Sequence, residues 1–450
     1  MSVGGQSVGG HFPPPRATER AIRFTYAQAM LGAIFGASTG GMFLTGYALR
    51  LGADNVRIGL MSTIPMLGVV VQLFSATLVE RGGSRRLLAF FGSAISAGGW
   101  ALIVALPYVS GQASPMFHVS ALIAIIALLS LFAQMAGNAR ASWVGDLIPA
   151  GMRGVFFGRL NMYAGLIGVV FAVVEGIFLD RVKTGGISAF SWLFLFGMSF
   201  GLLSSALFLP QADVPITRHA SGSRLFGMIR HTFANRSLMI VMLYALVWSM
   251  QSIAGLFPAT YMLRDLQVPF LGVGLVNAVS TLTVLIASPF WGRVVDRYGC
   301  RPVIVTCSFL LFPLPLMWIF VSSRVAVYAI IGPLNLLGGF ASAGISVALS
   351  TLLFKVTEGA GRSVQLAVYS ILVTLLTAPL PVLGGHLPDW LQSLGVRADL
   401  RITFYAGIPA ILGAALIARR LREPGAHQAV ELVRNLPAHL WRRRTLENVK

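Results

Sequence analysis

From Leu87 to Ala139 the chain runs 53 residues without a single Asp, Glu, Lys or Arg. A helix rises about 1.5 Å per residue, and about 20 apolar residues cross a hydrocarbon core of roughly 30 Å. This stretch therefore holds two crossings, with Pro107, Gly111 and Pro115 marking the turn between them. Similar stretches are Phe24–Leu49, Ile58–Val79, Leu160–Leu179 (interrupted only by Glu175) and Thr184–Ala212. The second half adds Ser237–Leu263, Leu266–Gly292, Pro302–Ser323, Val325–Phe354, Ser363–Pro388 and Ile402–Ala418, for twelve spans in all. The alternation of a barrel strand is absent, which leaves helices as the spanning element. Only 11% of residues are charged, too few to cover a water-facing surface, where about 25% is usual. The expected fold class is an all-α polytopic membrane protein, with twelve transmembrane helices in two six-helix pseudo-symmetric bundles.

The remaining charges are unevenly placed. With both termini cytoplasmic, the inward segments hold 26 of the 34 Lys and Arg residues. The outward segments hold eight, Arg50, Arg57, Arg181, Lys183, Arg264, Arg324, Arg397 and Arg401. This bias sets the orientation and accounts for the net charge of +19 without a nucleic acid partner. The chain then divides into a disordered cytoplasmic tail (1–20), a first bundle (21–210), a cytoplasmic linker (211–236), a second bundle (237–420) and a basic cytoplasmic tail (421–450). The apolar run after Arg23 is too long for the core of a cleaved signal. In the last segment Val430, Val433, Leu436, Leu440 and Trp441 share a helical face that suits an anionic leaflet; a solvated tail fits the composition equally. Cys300 and Cys307 read as a loop residue and a packing residue, not as a disulfide or a metal site.

The two halves repeat. Tyr47-Ala-Leu-Arg50, followed by Ile58-Gly59-Leu60, returns as Tyr261-Met-Leu-Arg264 and Val273-Gly274-Leu275, offset by 214 to 215 residues. Glu80-Arg81-Gly-Gly83 returns as Asp296-Arg297-Tyr-Gly299 at an offset of 216. Arg153-Gly154 and Glu175–Asp180 return as Arg362-Ser363 and Gly384–Asp389 at 209. Four ordered anchors at nearly one spacing imply parallel repeats related about the membrane normal.

The segment Gly292-Arg-Val-Val-Asp296-Arg297-Tyr-Gly299-Cys-Arg301 resembles the loop signature of the major facilitator superfamily, and it falls between predicted helices 8 and 9, where that family carries its second copy. Ala76-Thr-Leu-Val-Glu80-Arg81-Gly-Gly83-Ser-Arg85, between helices 2 and 3, resembles a degraded first copy. Trp143-Val-Gly-Asp146-Leu-Ile-Pro149 with Arg153-Gly154-Val-Phe-Phe-Gly158-Arg159 is similar to a bacterial subgroup of these carriers, which implies a bacterial inner membrane protein. The resemblance spans about residues 21–420. It implies a latch on cytoplasmic closure made by Glu80, Arg81, Gly83 and Arg85 in the first copy and by Gly292, Asp296, Arg297, Gly299 and Arg301 in the second, with a turn held by surface charges as the other reading. The physics agrees: terminal carboxylates sit well against a cation or a helix N-terminus, arginine forks bind carbonyls and carboxylates, and glycines allow the turn. Arg140, at the inner end of helix 4, is the expected partner of Glu80.

An ionisable residue within a span is a functional candidate by default. Glu175, on helix 5 near its outer end, is the one clear case; it is read either as a substrate or proton site or as a carboxylate paired with an outer arginine or water. The resemblance implies a central cavity lined mainly by helices 1, 4, 7 and 10. Gln134, Trp248, Gln251 and Asn335 are the candidate contacts there, with interhelical hydrogen bonding as the other reading. Gly32, Gly36 and Gly40 are expected to let helix 1 approach a neighbour closely.

No phosphate-binding loop, metal cluster or nucleophile–base constellation is visible, so no cofactor and no enzymatic activity is expected. The reading is a monomeric secondary transporter that moves a small organic solute across the bilayer by alternating access, with protons as the coupling ion considered. The alternative is a non-transporting receptor or assembly factor of the same fold, acting through its basic tail.

Overall fold

The computed structural model describes residues 15–71, 84–109, 111, 114–147, 153–182, 186–211, 232–357, 362–396, 399–421 and 423. Among these, every regular element is helical. Ten segments are long and apolar enough to cross a membrane: α1 (Arg20–Arg50), α3 (Arg85–Val109), α4 (Pro115–Ala141), α5 (Phe156–Arg181), α6 (Gly186–Ala206), α7 (Arg236–Asp265), α8 (Phe270–Tyr298), α9 (Cys300–Phe320), α10 (Arg324–Val356) and α11 (Gln365–Ser393). Two shorter apolar helices are α2 (Asn55–Val71) and α12 (Ile402–Ala418). The chain is an all-α polytopic membrane protein. Its first helix begins at Pro15, inside the segment expected as tail, and the fixed φ of proline suits that first position. Most of the linker and of the basic tail lies outside the described residues.

Local chemistry sets several helix starts. The Asp54 carboxylate accepts the Arg57 amide at 2.8 Å, the Ser84 hydroxyl oxygen accepts the Leu87 amide at 3.3 Å, and the Asn235 side-chain oxygen accepts the Leu238 amide at 3.1 Å. Cys300 opens α9 and is buried, as is Cys307, and both are free thiols.

Packing concentrates within α1–α6 and within α7–α12. In the first group α1 lies against α5 and α6, and α3 against α4 and α6. In the second, α8 lies against α10, and α12 against α7 and α9. The largest contacts between the groups are α5 on α8 and α2 on α11. Small residues make the second approach possible: a Cβ at Gly59 would strike the backbone of Pro381, and one at Gly385 the backbone of Asn55.

The sequence repeat is also a structural one. Tyr47 donates its hydroxyl to the carbonyl of Ile103 at 3.2 Å, and Tyr261 does the same to Val321 at 3.0 Å. A buried tyrosine needs such a partner, and both repeats supply it from the far end of their third helix.

The two ends of the molecule differ. At the end away from Arg236 and Arg419, one buried apolar core crosses the groups, joining Phe43, Tyr47 and Phe190 to Phe257, Tyr261 and Val273. At the arginine-bearing end, buried clusters stay within one group: Ala89, Trp143 and Phe208 in the first, Tyr244, Trp291 and Val303 in the second. Among the described residues no buried cluster joins the groups there.

Candidate functional site

Two helices are interrupted at matching places. α1 breaks at Gly40 and Gly41, and Gly41 has φ +51°. α7 passes through a tight turn at Met250–Ala254 and breaks at Gly255, with φ +43°. A side chain in the left-handed region costs about 1–2 kcal/mol, so glycine belongs at both. Gly41 and Gly255 are 214 residues apart, the spacing that relates Tyr47 to Tyr261.

Both breaks line one cavity of about 520 Å³ between the two groups. Its walls come from α1 (Phe35, Thr39, Leu44), α2 (Met61, Ser62, Pro65), α3 (Trp100), α4 (Ile126, Ser130), α7 (Ser252, Leu256) and α11 (Pro381), and no charged side chain is among them. The hydroxyls of Thr39 and Ser130 are engaged, donating to the carbonyls of Phe35 and Ala127 at 2.6 and 2.8 Å. Those of Ser62 and Ser252 are buried without a hydrogen-bond partner. They come from opposite groups, and Ser62 Oγ lies against the Gly255 break, 3.4 Å from where a Cβ would stand. A buried hydroxyl left unsatisfied costs about 1–3 kcal/mol, which a hydrogen-bonding solute would recover.

In the glycine stripe of α1, Gly32 faces α6, where a Cβ would touch Ser204 Oγ at 3.6 Å, but the next turn faces open space instead. Gly36 has no neighbour within 4 Å of a would-be Cβ. With Gly40, Gly165, Gly168 and Gly274 it lines a second cavity of about 310 Å³ between α1, α5 and α8.

Glu175 is 3% exposed and sits inside the first group. Its Oε1 is 2.5 Å from Ser38 Oγ, which is also 2.9 Å from the Ile34 carbonyl oxygen. A hydroxyl has one proton and cannot donate to both acceptors. Its Oε2 is buried and has no hydrogen-bond partner. No arginine pairs with Glu175 among the described residues.

One turn beyond Glu175, Asp180 reaches across the groups. Its carboxylate accepts the amides of Phe270 at 2.9 Å and Leu271 at 2.8 Å, the first two of α8. α2 has its own cap, Asp54, whereas the residue before α8 is Pro269, which offers no capping side chain. Asp180 supplies that cap from the other group and meets the positive end of α8. Around it Phe270 stacks on Phe43 at 6.0 Å, and Arg264 donates to the Asn55 side-chain oxygen at 2.9 Å.

The residues singled out from the sequence are scattered relative to this cavity. Gln134 donates to the Pro65 carbonyl at 3.1 Å, Gln251 to that of Trp248 at 3.0 Å, and Asn335 to that of Val276 at 2.8 Å. Trp248 stacks on Tyr244 at 6.3 Å. None of the four lines the 520 Å³ cavity. Arg140 instead lines a 200 Å³ cavity within the first group, beside Gln28 and Ser96.

Of the loop motif, Glu80, Arg81 and Gly83 lie outside the described residues. Arg85 is buried at the start of α3. In the second copy Gly292 has open space around it, Gly299 takes the turn at φ +92°, and Arg297 lies over the ring of Tyr298 at 5.6 Å. Asp296 is exposed and carries no ion pair with a described residue. The start of α9 is capped by Glu423, whose Oε2 accepts the amides of Cys300 (2.7 Å) and Arg301 (2.9 Å) while Oε1 accepts from Lys355 Nζ at 2.8 Å. Burial pushes the Glu423 carboxyl up, but the Lys355 ammonium and the two amides outweigh it and hold it below the usual carboxylate range.

Gly41, Gly255, Ser62, Ser252, Ser38 and Glu423 were not singled out from the sequence. The repeat offset alone marks the glycine pair; nothing local marks the serines.

A model of the Major Facilitator Superfamily matches residues 237–445. Solved structures of similar fold include a variant of the nucleoside transporter NupG, with a TM-score of 0.70 at 11% identity, covering 89% of this chain and 100% of that one. A D-xylose–proton symporter follows at 0.67 and 13%, covering 92% and 99%. A POT family transporter in complex with 5-aminolevulinic acid gives 0.63 and 15%, covering 96% and 98%. No functionally curated protein matches the sequence. The chain shares the fold of these structures, and the Major Facilitator Superfamily model matches within its second half.

Proposed function

We propose that this protein is a secondary transporter moving a small, uncharged and largely apolar organic solute across the bacterial inner membrane by alternating access. Its twelve spans form two six-helix bundles, the monomer being the working unit. The observation that carries this reading is the pair of breaks at Gly41 and Gly255, repeat-related and facing one cavity between the bundles. Broken helices in corresponding positions of two repeats mark the binding site of many carriers. Ser62 and Ser252 then contact the solute from opposite bundles, so binding favours their approach.

The arginine-bearing end faces the cytoplasm by the positive-inside rule, and both termini lie there. The conformation is then open inward and shut outward by Asp180, Phe270 and the α2–α11 contact. Asp296 and Arg297, exposed here, form their cytoplasmic latch in the opposite state, with the first copy around Glu80 and Arg140.

Glu175 is the proton site. A buried ionised carboxylate without a cation is far costlier than the neutral acid. A protonated Glu175 donates to Ser38, which donates to Ile34, and one chain satisfies all three groups. Gly176, the next residue, packs on Leu271, so parting α5 from α8 admits water to Glu175 from the outer side.

The test is a thermal-stabilisation screen of the purified protein with uncharged solutes, followed by uptake into proteoliposomes with and without a pH gradient. The reading requires a solute that stabilises the wild type, is carried, and loses both effects in the Ser62→Ala/Ser252→Ala double variant. Solutes that bind at this cavity but are never carried would sink it.

A further inference from the structure

At the arginine-bearing end, α12 finishes between the starts of α7 and α9, and the three ends border an open cavity of about 630 Å³. Arg236, Arg301, Arg419 and Arg420 line it, together with Ile240, Leu421 and Glu423. Like charges from three helices converge on one space. The one carboxylate there, Glu423, already has its charge matched by the Lys355 ammonium at 2.8 Å, while its other oxygen accepts the amides of Cys300 and Arg301. None of the four guanidiniums forms an ion pair with a described carboxylate. Arg301 is held in place by its bond to the Arg419 carbonyl at 2.8 Å, and Arg419 lies over the ring of Phe309 at 5.6 Å.

The surroundings of the cavity are apolar on the membrane side. Phe309, under Arg419, is 42% exposed. Leu416 stands one turn before Arg419 and Arg420 on the same face of α12 and is 59% exposed; Leu412, a turn earlier, is also exposed. The chemistry thus has two parts in register: a cluster of rigid forks suited to phosphate oxygens, and an apolar lane leading from it along the helix. Interfacial snorkelling explains single arginines at helix ends. It gives no reason for four from three helices to face one cavity with no ion pair to a described carboxylate.

We infer that this cavity is a binding site for a phosphate-bearing headgroup, with an anionic phospholipid of the same leaflet as its source and its acyl chains lying along Leu416 and Phe309. Basic recesses between helix ends on the inner side of membranes hold such headgroups in general. The site involves neither the central cavity nor Glu175. It ties α7, α9 and α12 together at the end where the second bundle must move relative to the first.

Native mass spectrometry of the full-length protein tests it, counting lipids retained from micelles doped with phosphatidylglycerol or with phosphatidylcholine of matched chains. A second arm measures thermal stabilisation by soluble glycerol phosphate. The pocket variant is Arg419→Gln/Arg420→Gln, with Arg236→Gln as a milder companion. The control is Arg20→Gln/Arg23→Gln, which removes the same charge from the same end of the first bundle. All must elute as one species and melt near wild type without probe. The expected result is preferential retention of phosphatidylglycerol, about 30-fold weaker in the pocket double variant and unchanged in the control. Stabilisation by glycerol phosphate that the pocket variant loses, with lipid retention equal in all proteins, keeps the phosphate site but makes a soluble ligand its source. Indifference of both probes to the pocket variants, or an equal loss in the control, overturns the proposal.

Discussion

Asp180, at the end of α5, caps α8 of the other helix group by accepting the amides of Phe270 and Leu271 at 2.9 and 2.8 Å. In the proposed alternating-access cycle this cap breaks when the two groups part, so its strength enters the equilibrium between the two states directly. Replacing a capping aspartate costs about 0.5–2 kcal/mol. Asp180→Ala should therefore raise the outward-open population by roughly 2- to 30-fold. Spin-label distances between the outer ends of α5 and α8 read that population. An unchanged distance distribution would remove Asp180 from the gate.

The breaks at Gly41 and Gly255 predict a contrast within one helix. Gly41→Ala and Gly255→Ala force a Cβ into the left-handed region and should each cost about 1–2 kcal/mol. Gly36→Ala meets nothing within 4 Å and should be nearly neutral. Melting temperature and uptake rate measured on all three give the check. If Gly36→Ala is as damaging as the other two, the positive-φ argument fails.

The hydroxyls of the central cavity predict a loss of affinity with the fold intact. Ser62→Ala and Ser252→Ala each remove one solute hydrogen bond, worth about 0.5–1.5 kcal/mol, and also relieve an unsatisfied group in the empty protein. The unliganded variants should therefore melt at or slightly above wild type while binding several-fold more weakly. Variants that melt lower would show that the hydroxyls serve the fold.

The helical spans, ten of the expected twelve at full length, and the repeat were legible in the sequence because hydropathy and spacing are properties of the chain itself. The candidate cavity was less legible. Gln134, Gln251 and Asn335 stand on helices expected to line it, yet each amide satisfies a nearby backbone carbonyl. Helix membership does not say which way a side chain faces or what it meets. Ser62 and Ser252 matter because they meet no partner, and a lack of partners is a property of the packed molecule. The role of Asp180 rests on the absence of a capping side chain at Pro269, 89 positions away in the chain. Glu423 was counted into the basic tail, although the chain still packs through Leu421 and Glu423 against α9 and α10. A truncation that tests the tail must begin after Glu423.

Glu423 sets a pH dependence with a definite sign. Its folded-state pKa is depressed, so its contribution to stability is complete above the ordinary glutamate value of about 4.3. It is lost as pH falls through the lower folded-state value. Wild type should melt above Glu423→Gln by a few degrees at neutral pH, and the gap should close on acidification below about pH 4. A gap that widens in acid would mean the carboxyl is bound as the neutral acid.

Glu175 makes the sharpest separation between structure and coupling. Glutamine has the shape of the protonated acid, and its amide can donate to Ser38 as the carboxyl does, leaving the Ser38–Ile34 bond in place. Glu175→Gln should thus fold and melt like wild type and still exchange solute across proteoliposomes at equal concentrations. It cannot release a proton, so accumulation driven by a pH gradient should vanish, and the pH dependence of flux with it. Ser38→Ala tests the relay from the other side: it strands a carboxyl in the bundle and should cost about 1–3 kcal/mol of stability, relieved when combined with a leucine at position 175. Should Glu175→Gln keep gradient-driven accumulation, Glu175 is a packing residue and the coupling ion, if there is one, binds elsewhere.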